Sequence, residues 1–162
     1  MSATIRRAIP RDLAAVAPVL YSAFKSISDQ YRFPPDFESP EAAHGVASLL
    51  LNHPKFYGVV AEDAGRLLGS NFIDLRSPIV GLGPISVDPK ARNKGVGRQL
   101  MLAAMGEARR RSCAGIRLVQ LAYHNRSLCL YTTLVFTPAI HCRSCRVSRL
   151  VSALQVKRSV RP

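Results

Sequence analysis

The chain has 162 residues, 48% of them hydrophobic and 20% charged. That length makes one domain whose core needs no disulfide or metal staple, and no apolar run approaches the ~18 residues of a membrane helix. Charge is uneven: residues 1–107 hold 12 Lys and Arg and all 10 acids, whereas residues 108–162 hold 11 Lys and Arg and no acid. A cationic third attracts polyanions, but this one carries no nucleic-acid motif. Four cysteines, Cys113, Cys129, Cys142 and Cys145, are too few for a disulfide scaffold and suit reduced thiols in a cytoplasmic protein. Arg6, Arg7 and Arg11 before Leu13–Leu20 superficially suggest a leader. Asp12 and Pro18 interrupt that pattern, and an amphipathic first helix accounts for it better.

Ala3–Ala8 reads as a first strand. Pro10 opens a helix, where its missing N–H costs nothing, and Leu13, Val16, Leu20 and Phe24 recur at helical spacing. Residues 28–40, with Pro34, Pro35 and Pro40, read as a loop. Ser39 then caps a second helix to about Leu51 or Asn52. Phe56–Glu62 and Arg66–Leu75 flank Asp63-Ala64-Gly65 as a hairpin. Ile79–Val87 reads as a strand broken in regularity by Gly81, Gly83 and Pro84, a sign of a bulge or a closely approaching ligand. Gly95–Arg111 is the clearest helix, with Val96, Leu100, Met101, Ala104, Met105 and Ala108 on one face. Ile116–Ala122 reads as a strand and Ser127–Leu134 as a short helix. Beyond Pro138 the periodicity fades, and VSRLVSALQV fits one or two strands. The order implies an α/β domain with a partly antiparallel sheet.

The informative stretch is ISVDPKARNKGVGRQL, residues 85–100. A strand ends, a turn carries Arg92-Asn93-Lys94-Gly95-Val96-Gly97, and a long helix begins. Glycines let successive N–H groups converge, the helix dipole puts its positive end there, and Lys90, Arg92, Lys94 and Arg98 add charge. This is the chemistry of a pyrophosphate site. A Walker loop would need Lys-Ser/Thr where Arg98-Gln99 stand, and a dinucleotide fingerprint a third Gly where Leu100 stands.

Arg92-x-x-Gly95-x-Gly97 after ISV resembles motif A of the GCN5-related N-acetyltransferase (GNAT) superfamily. Asn125 to Phe136, NRSLCLYTTLVF, resembles motif B of the same family, and the likeness runs over about residues 3–136. It implies the GNAT acyl-CoA N-acyltransferase fold in the α/β (α+β) class: a central mixed, mostly antiparallel sheet flanked by helices, one domain over 1–162. It also implies acetyl-CoA as the acyl-donor cosubstrate, with no metal, in a cleft between splayed strands 79–87 and 116–122. Ile85, Ser86 and Val87 would pair with the pantetheine arm like an added strand. Backbone N–H groups of Arg92, Asn93, Lys94, Gly95, Val96, Gly97 and Arg98 would hold the pyrophosphate. Asn125 would contact the cofactor from the other side, cap the helix, or both. An N–H near Ser86 or Val87 would face the developing oxyanion. Tyr131 matches the family's general acid: a phenol near 10 is only about 1.5 pH units above a thiol near 8.5. Asp74, Asp88 and His124 remain candidates for a base, none preferred.

Two departures stand out. Val135 occupies the place of the family's Gly before Phe136, and residues 137–162 carry six basic residues and no acid, an atypical tail. His141-Cys142-Arg143-Ser144-Cys145 lacks the second ligand pair a zinc site wants. The acceptor is expected to be a small-molecule or peptide amine, with Tyr31, Phe33 and Phe37 either facing its cleft or packing their loop down. No membrane partner is expected, and a homodimer is compatible with the sequence. The alternatives are a silent acyl-CoA-binding relative and a basic nucleic-acid-binding protein, the latter weakened by the lack of interleaved aromatics.

Overall fold

In the computed structural model, residues 3–121, 123–134, 136–141 and 151–156 are described, the last two segments by backbone except for Phe136. Strands β1 (Thr4–Arg7), β2 (Phe56–Asp63), β3 (Arg66–Asp74) and β4 (Ile79–Leu82) form an antiparallel meander. The β2–β3 turn has Ala64 at φ 48° and Gly65 at φ 77°, the double positive-φ geometry that matches strand twist in a two-residue hairpin. β4 pairs in parallel with β6 (Gly115–Leu121), and β6 continues antiparallel to β8 (Val151–Val156), which pairs with β7 (Phe136–His141). The basic C-terminal segment therefore adds two strands despite its weak periodicity. Val135 and Ala122 lie outside the described residues, as do Cys142, Cys145 and residues 157–162.

β3 is buried along almost its whole length because helices cover both faces. On one face α3 (Val96–Arg110) sets Val96, Leu100, Met101, Ala104, Met105 and Ala108 against Val59, Ala61, Leu68 and Ile73. On the other, α1 (Leu13–Tyr31) and α2 (Pro40–Asn52) pack Val16, Leu20, Ala47 and Leu50 on Val60, Leu67 and Phe72. α2 starts where capping chemistry places it: Ser39 Oγ accepts from the Ala42 N–H at 3.3 Å.

Three boundaries differ from the sequence reading. α1 continues past Phe24 to Tyr31 and ends at Arg32 in the left-handed region, φ 56°. Ser28, Asp29 and Gln30 look like loop residues, but Ala23, Phe24, Ile27 and Tyr31 keep the helical stripe going. The single strand expected over 79–87 is two. β4 stops at Leu82, and β5 (Ser86–Val87) pairs with β3, Gly69 opposite Val87 and Ser70 opposite Ser86. Last, α4 spans Asn125–Thr133, so it begins two residues before Ser127.

Candidate functional site

The cavity lies where the sheet divides. β4 and β6 are paired only from Ile79–Gly81 to Gly115–Arg117. Past that point the chain at 85–87 stays with β3, while Leu118–Leu121 of β6 runs on without it. The gap is a cavity of about 600 Å³, within the range of small-ligand sites. Leu82–Ile85 and Val87 line one side, Leu118–Leu121 the other, and the C-terminal stripe of α1 (Ala23, Phe24, Ile27, Gln30, Tyr31) a third wall. β5 pairs with β3 along one edge, so its other edge faces the gap.

At one end is the turn before α3. Asn93 has φ 65° and Gly95 φ 78°. The Gly95 carbonyl accepts from the Gln99 N–H at 3.0 Å, so the preceding N–H groups of the first turn have no helical partner and point out of the helix start. Arg92, Asn93, Gly95, Val96, Gly97 and Arg98 line the cavity here. The Arg92 guanidinium is turned toward α1, donating to the Ala23 carbonyl at 3.0 Å and Ser26 Oγ at 2.6 Å. Burial pulls its pKa down, with Arg126 adding to the effect. Its side chain thus ties α1 to the turn, while the backbone is left to meet a ligand.

Beside this turn lies α4, with Leu130 Cδ2 3.5 Å from where a Gly97 Cβ would stand. His124, Ser127 and Tyr131 follow at i, i+3 and i+7, one helical face, and all three line the cavity. His124 Nδ1 and Ser127 Oγ are 2.6 Å apart, and the Ser127 hydroxyl is close enough to Tyr131 to influence its phenol. Burial pushes the Tyr131 phenol up to about 12, against a smaller lowering from Ser127. The gap to a thiol is therefore wider than the reference values suggest. Burial pulls His124 down to about 4, helped by the positive charge of Arg92 and Arg126, so its imidazole is neutral near pH 7.

Of the sequence-predicted residues, Ile85, Val87, Arg92, Asn93, Gly95, Val96, Gly97, Arg98 and Tyr131 meet at this cavity. Three others are not among its lining. Ser86 is buried and its hydroxyl lies 2.9 Å from Ser70 Oγ, fastening β5 to β3. Lys94 is exposed. Asn125 is the first residue of α4, whose N-cap is His124, and Arg126 and Ser127 face the cavity instead. Asp74 and Asp88 are also outside it: Asp74 pairs with Arg76 at 2.7 Å, and Asp88 pairs with Arg66 and caps a short turn by accepting from the Lys90 N–H at 2.8 Å. His124 is the one base candidate that reaches the cavity. The aromatic loop divides: Tyr31 lines the cavity and Phe33 stacks on Tyr123 at 4.2 Å, whereas Phe37 packs edge-on against Phe24. Sequence reasoning missed Gln30, Asp36, Gln120 and Ser127. The helical spacing of Gln30 and Ser127 is their only prior signal.

A family model, Acetyltransferase (GNAT) family, matches residues 20–134. No curated protein matches the chain. Among solved structures the chain is similar to the ribosomal-protein-S18-alanine N-acetyltransferase from Escherichia coli, with a TM-score of 0.77 at 20% identity over 96% of this chain and 93% of that one. It is similar to the PaiA N-acetyltransferase from Thermoplasma acidophilum in complex with coenzyme A, at 0.71 and 16% identity over 94% and 98%. It is also similar to yncA from Salmonella typhimurium with its cofactor acetyl-CoA, at 0.73 and 22% identity over 100% and 98%. At these identities the likeness is one of fold.

Proposed function

The chain belongs to the acetyltransferase (GNAT) family, and from that membership we propose that it transfers an acetyl group from acetyl-CoA to a primary amine by direct attack. The observation that carries this reading is the divided sheet, with a helix N-terminus and a buried tyrosine both lining the gap. An open strand edge beside a helix N-terminus suits an anionic, elongated acyl donor. Backbone N–H groups from Arg92 to Arg98 bind the diphosphate, aided by the helix dipole. The free edge of Ile85–Val87 takes the pantetheine arm as a strand takes a neighbour and presents an N–H toward the thioester oxygen. When bound, acetyl-CoA supplies an acyl group activated as a thioester.

Tyr131 then acts as the acid. A phenol with a pKa near 12 does not persist as an anion beside a thiol near 8.5. Tyr131 gives its proton to the departing sulfur, and the Ser127 hydroxyl passes a proton to the phenolate oxygen while taking one from solvent. That offsets the proton that the amine releases, so both hydroxyls end protonated. His124, neutral and 2.6 Å from Ser127 Oγ, orients that hydroxyl. The amine's proton leaves to solvent at the cavity mouth. The acceptor is a small-molecule or peptide amine entering beside α1 and Tyr31, and the reduced thiols suit a cytoplasmic protein.

Calorimetric titration with acetyl-CoA, followed by thiol release from a panel of amines, tests the proposal. Saturable binding and Tyr131-dependent release support it. A folded protein that binds no acetyl-CoA refutes it. A second reading, binding without turnover, is favoured by the capture of Asp74 and Asp88 in ion pairs outside the cavity. Acetyl-CoA binding with no amine consumed would select it.

A further inference from the structure

The helices α1 and α2 cover only part of their face of the sheet. Their cluster rests on β2 and β3 and takes in no residue of β4 or β6 among the described residues. On those two strands the side chains turned toward α3 are buried: Val80 and Leu82 of β4, Ile116 and Leu118 of β6. The register sets Ile79 beside Gly115 and Gly81 beside Arg117, so Ile79, Arg117 and Val119 share the opposite face. That is the face of α1, because Asp74, opposite Gly81, lies on the same side of β3 as Phe72. All three side chains are exposed there, Val119 to 66% and Ile79 to 41%. A lone exposed valine is ordinary. Val119 differs because it and Leu121, two residues on along the same face, line the cavity together with Phe24, Ile27 and Tyr31 of α1. An exposed apolar surface continuous with a cavity marks a ligand's place.

We infer that Val119 is a specificity-determining residue, part of an apolar floor that takes an aliphatic or aromatic group attached to the acceptor's amine. The inference rests on the acetyltransferase reading and adds the class of acceptor to it. The cavity has two chemistries. Arg92, Arg98 and Arg126, with the α3 N-terminus, suit the anionic donor. The part made by α1 and the open face of β6 favours whatever removes apolar area from water, and a hydroxyl entering it gives up hydration that apolar walls do not replace. An amine on an apolar chain is therefore preferred to one of equal length that ends in a hydroxyl.

The test uses the full chain and Val119→Thr, which keeps the β-branched shape and exchanges a methyl for a hydroxyl at an exposed position. Hexylamine and aminopentanol, equal in length, are compared as acceptors by thiol release at saturating acetyl-CoA. If neither is acetylated, their affinities for the CoA-loaded protein are compared by calorimetry. Wild type should prefer hexylamine by about tenfold or more. Val119→Thr should cut that preference by about threefold or more, with Tm and acetyl-CoA affinity unchanged. Ile79→Thr, on the same face but outside the cavity lining, should leave the preference intact. Equal use of the two amines, or binding of neither, overturns the inference. So does a preference that Val119→Thr leaves unchanged or that Ile79→Thr lowers equally. Weaker acetyl-CoA binding by Val119→Thr overturns it too, because the floor would then belong to the donor. Failure of wild type itself to bind acetyl-CoA refutes the functional reading instead. Hexylamine titrated into that free protein would then show whether the apolar site stands without it, so the two failures are distinct.

Discussion

Replacing Gly97 with Asp separates the binding role of the α3 N-terminus from its role in folding. Gly97 lies in the first turn of α3 and lines the cavity. A Cβ there would meet Leu130 Cδ2 at 3.5 Å and Val87 Cγ2 at 3.7 Å, both ordinary contacts. Its backbone is helical, so a side chain introduces no strain. An acid in the first turn of a helix is stabilising by about 0.3–1 kcal/mol, and glycine is a poor helix former. The fold should therefore gain slightly, with Tm unchanged or up by about 2–4 °C for a chain this size. Binding should go the other way. A carboxylate about 5.5 Å from a phosphate, at an effective dielectric of about 20, is opposed by about 3 kcal/mol per charge pair, which is a hundredfold or more in affinity. Gly97→Ala adds the methyl without the charge and should cost less than tenfold. The assay is calorimetric titration with acetyl-CoA at low and physiological salt, beside thermal unfolding. The Gly97→Asp deficit should shrink as salt rises. A folded Gly97→Asp protein that binds acetyl-CoA as wild type does would remove the pyrophosphate from this turn.

Tyr131→Phe should lower kcat by about 10²–10⁴-fold while leaving acetyl-CoA affinity within a few-fold, read by thiol release and calorimetry. His124 is held near 4 in the fold against 6.5 when unfolded. Between those values the unfolded chain binds the extra proton, so stability is full above about pH 6.5 and falls as pH drops toward 4. At about 1.4 kcal/mol per pH unit the ceiling is ~3.4 kcal/mol, lowered by the residue's partial solvation; His124→Asn should flatten that limb of the Tm-against-pH curve. Gly69→Ala should destabilise by about 1–3 kcal/mol in denaturant titrations and weaken acetyl-CoA binding, because its Cβ would run into the Ser86 backbone carbonyl and crowd Val87 Cα at 3.2 Å. Gly45→Ala in α2, with nothing within 4 Å, should stabilise by about 0.4–1 kcal/mol.

The turn before α3 was readable because its chemistry is local. The glycines at 95 and 97, the adjoining strand and the amphipathic run of α3 lie within one short stretch, so spacing alone excludes other phosphate loops. The place of Tyr131 in the cavity was legible from a contiguous stretch too, the run Asn125 to Phe136 that resembles motif B. What was not readable depends on contacts distant in sequence. The extension of α1 to Tyr31 is driven by the apolar stripe at 23, 24, 27 and 31, which the polar run Ser28-Asp29-Gln30 conceals. Ser86 looks like a cavity residue until Ser70, 16 positions away, is seen to bind its hydroxyl. Gln120 has no signature in sequence, because a polar residue within a strand does not reveal from its neighbours which face it takes.

The division of the sheet follows from which neighbour β5 keeps. After Leu82 the chain could continue beside β6, extending the parallel pairing of Ile79–Gly81. It stays on β3 instead. The Phe72 carbonyl accepts from the Gly83 N–H at 2.8 Å, the Leu68 carbonyl accepts from the Asp88 N–H at 2.8 Å, and the Ser70–Ser86 hydroxyls meet between them. Gly69 permits that approach, since any side chain there would occupy the place of the Ser86 carbonyl. The Leu118–Leu121 stretch of β6, paired with β8 on one side, is then left without a strand partner on the side of β4, and an open edge inside a fold is a site for an added strand. The helix that must cross from β5 back to β6 starts beside that gap, so its positive end is delivered to the mouth without a separate device. α4, leaving β6 directly, brings Ser127 and Tyr131 to the same cavity. The backbone edge, the dipole and the placing of Tyr131 thus trace to one choice of strand partner, and Gly69→Ala should therefore weaken acetyl-CoA binding although its own side is core.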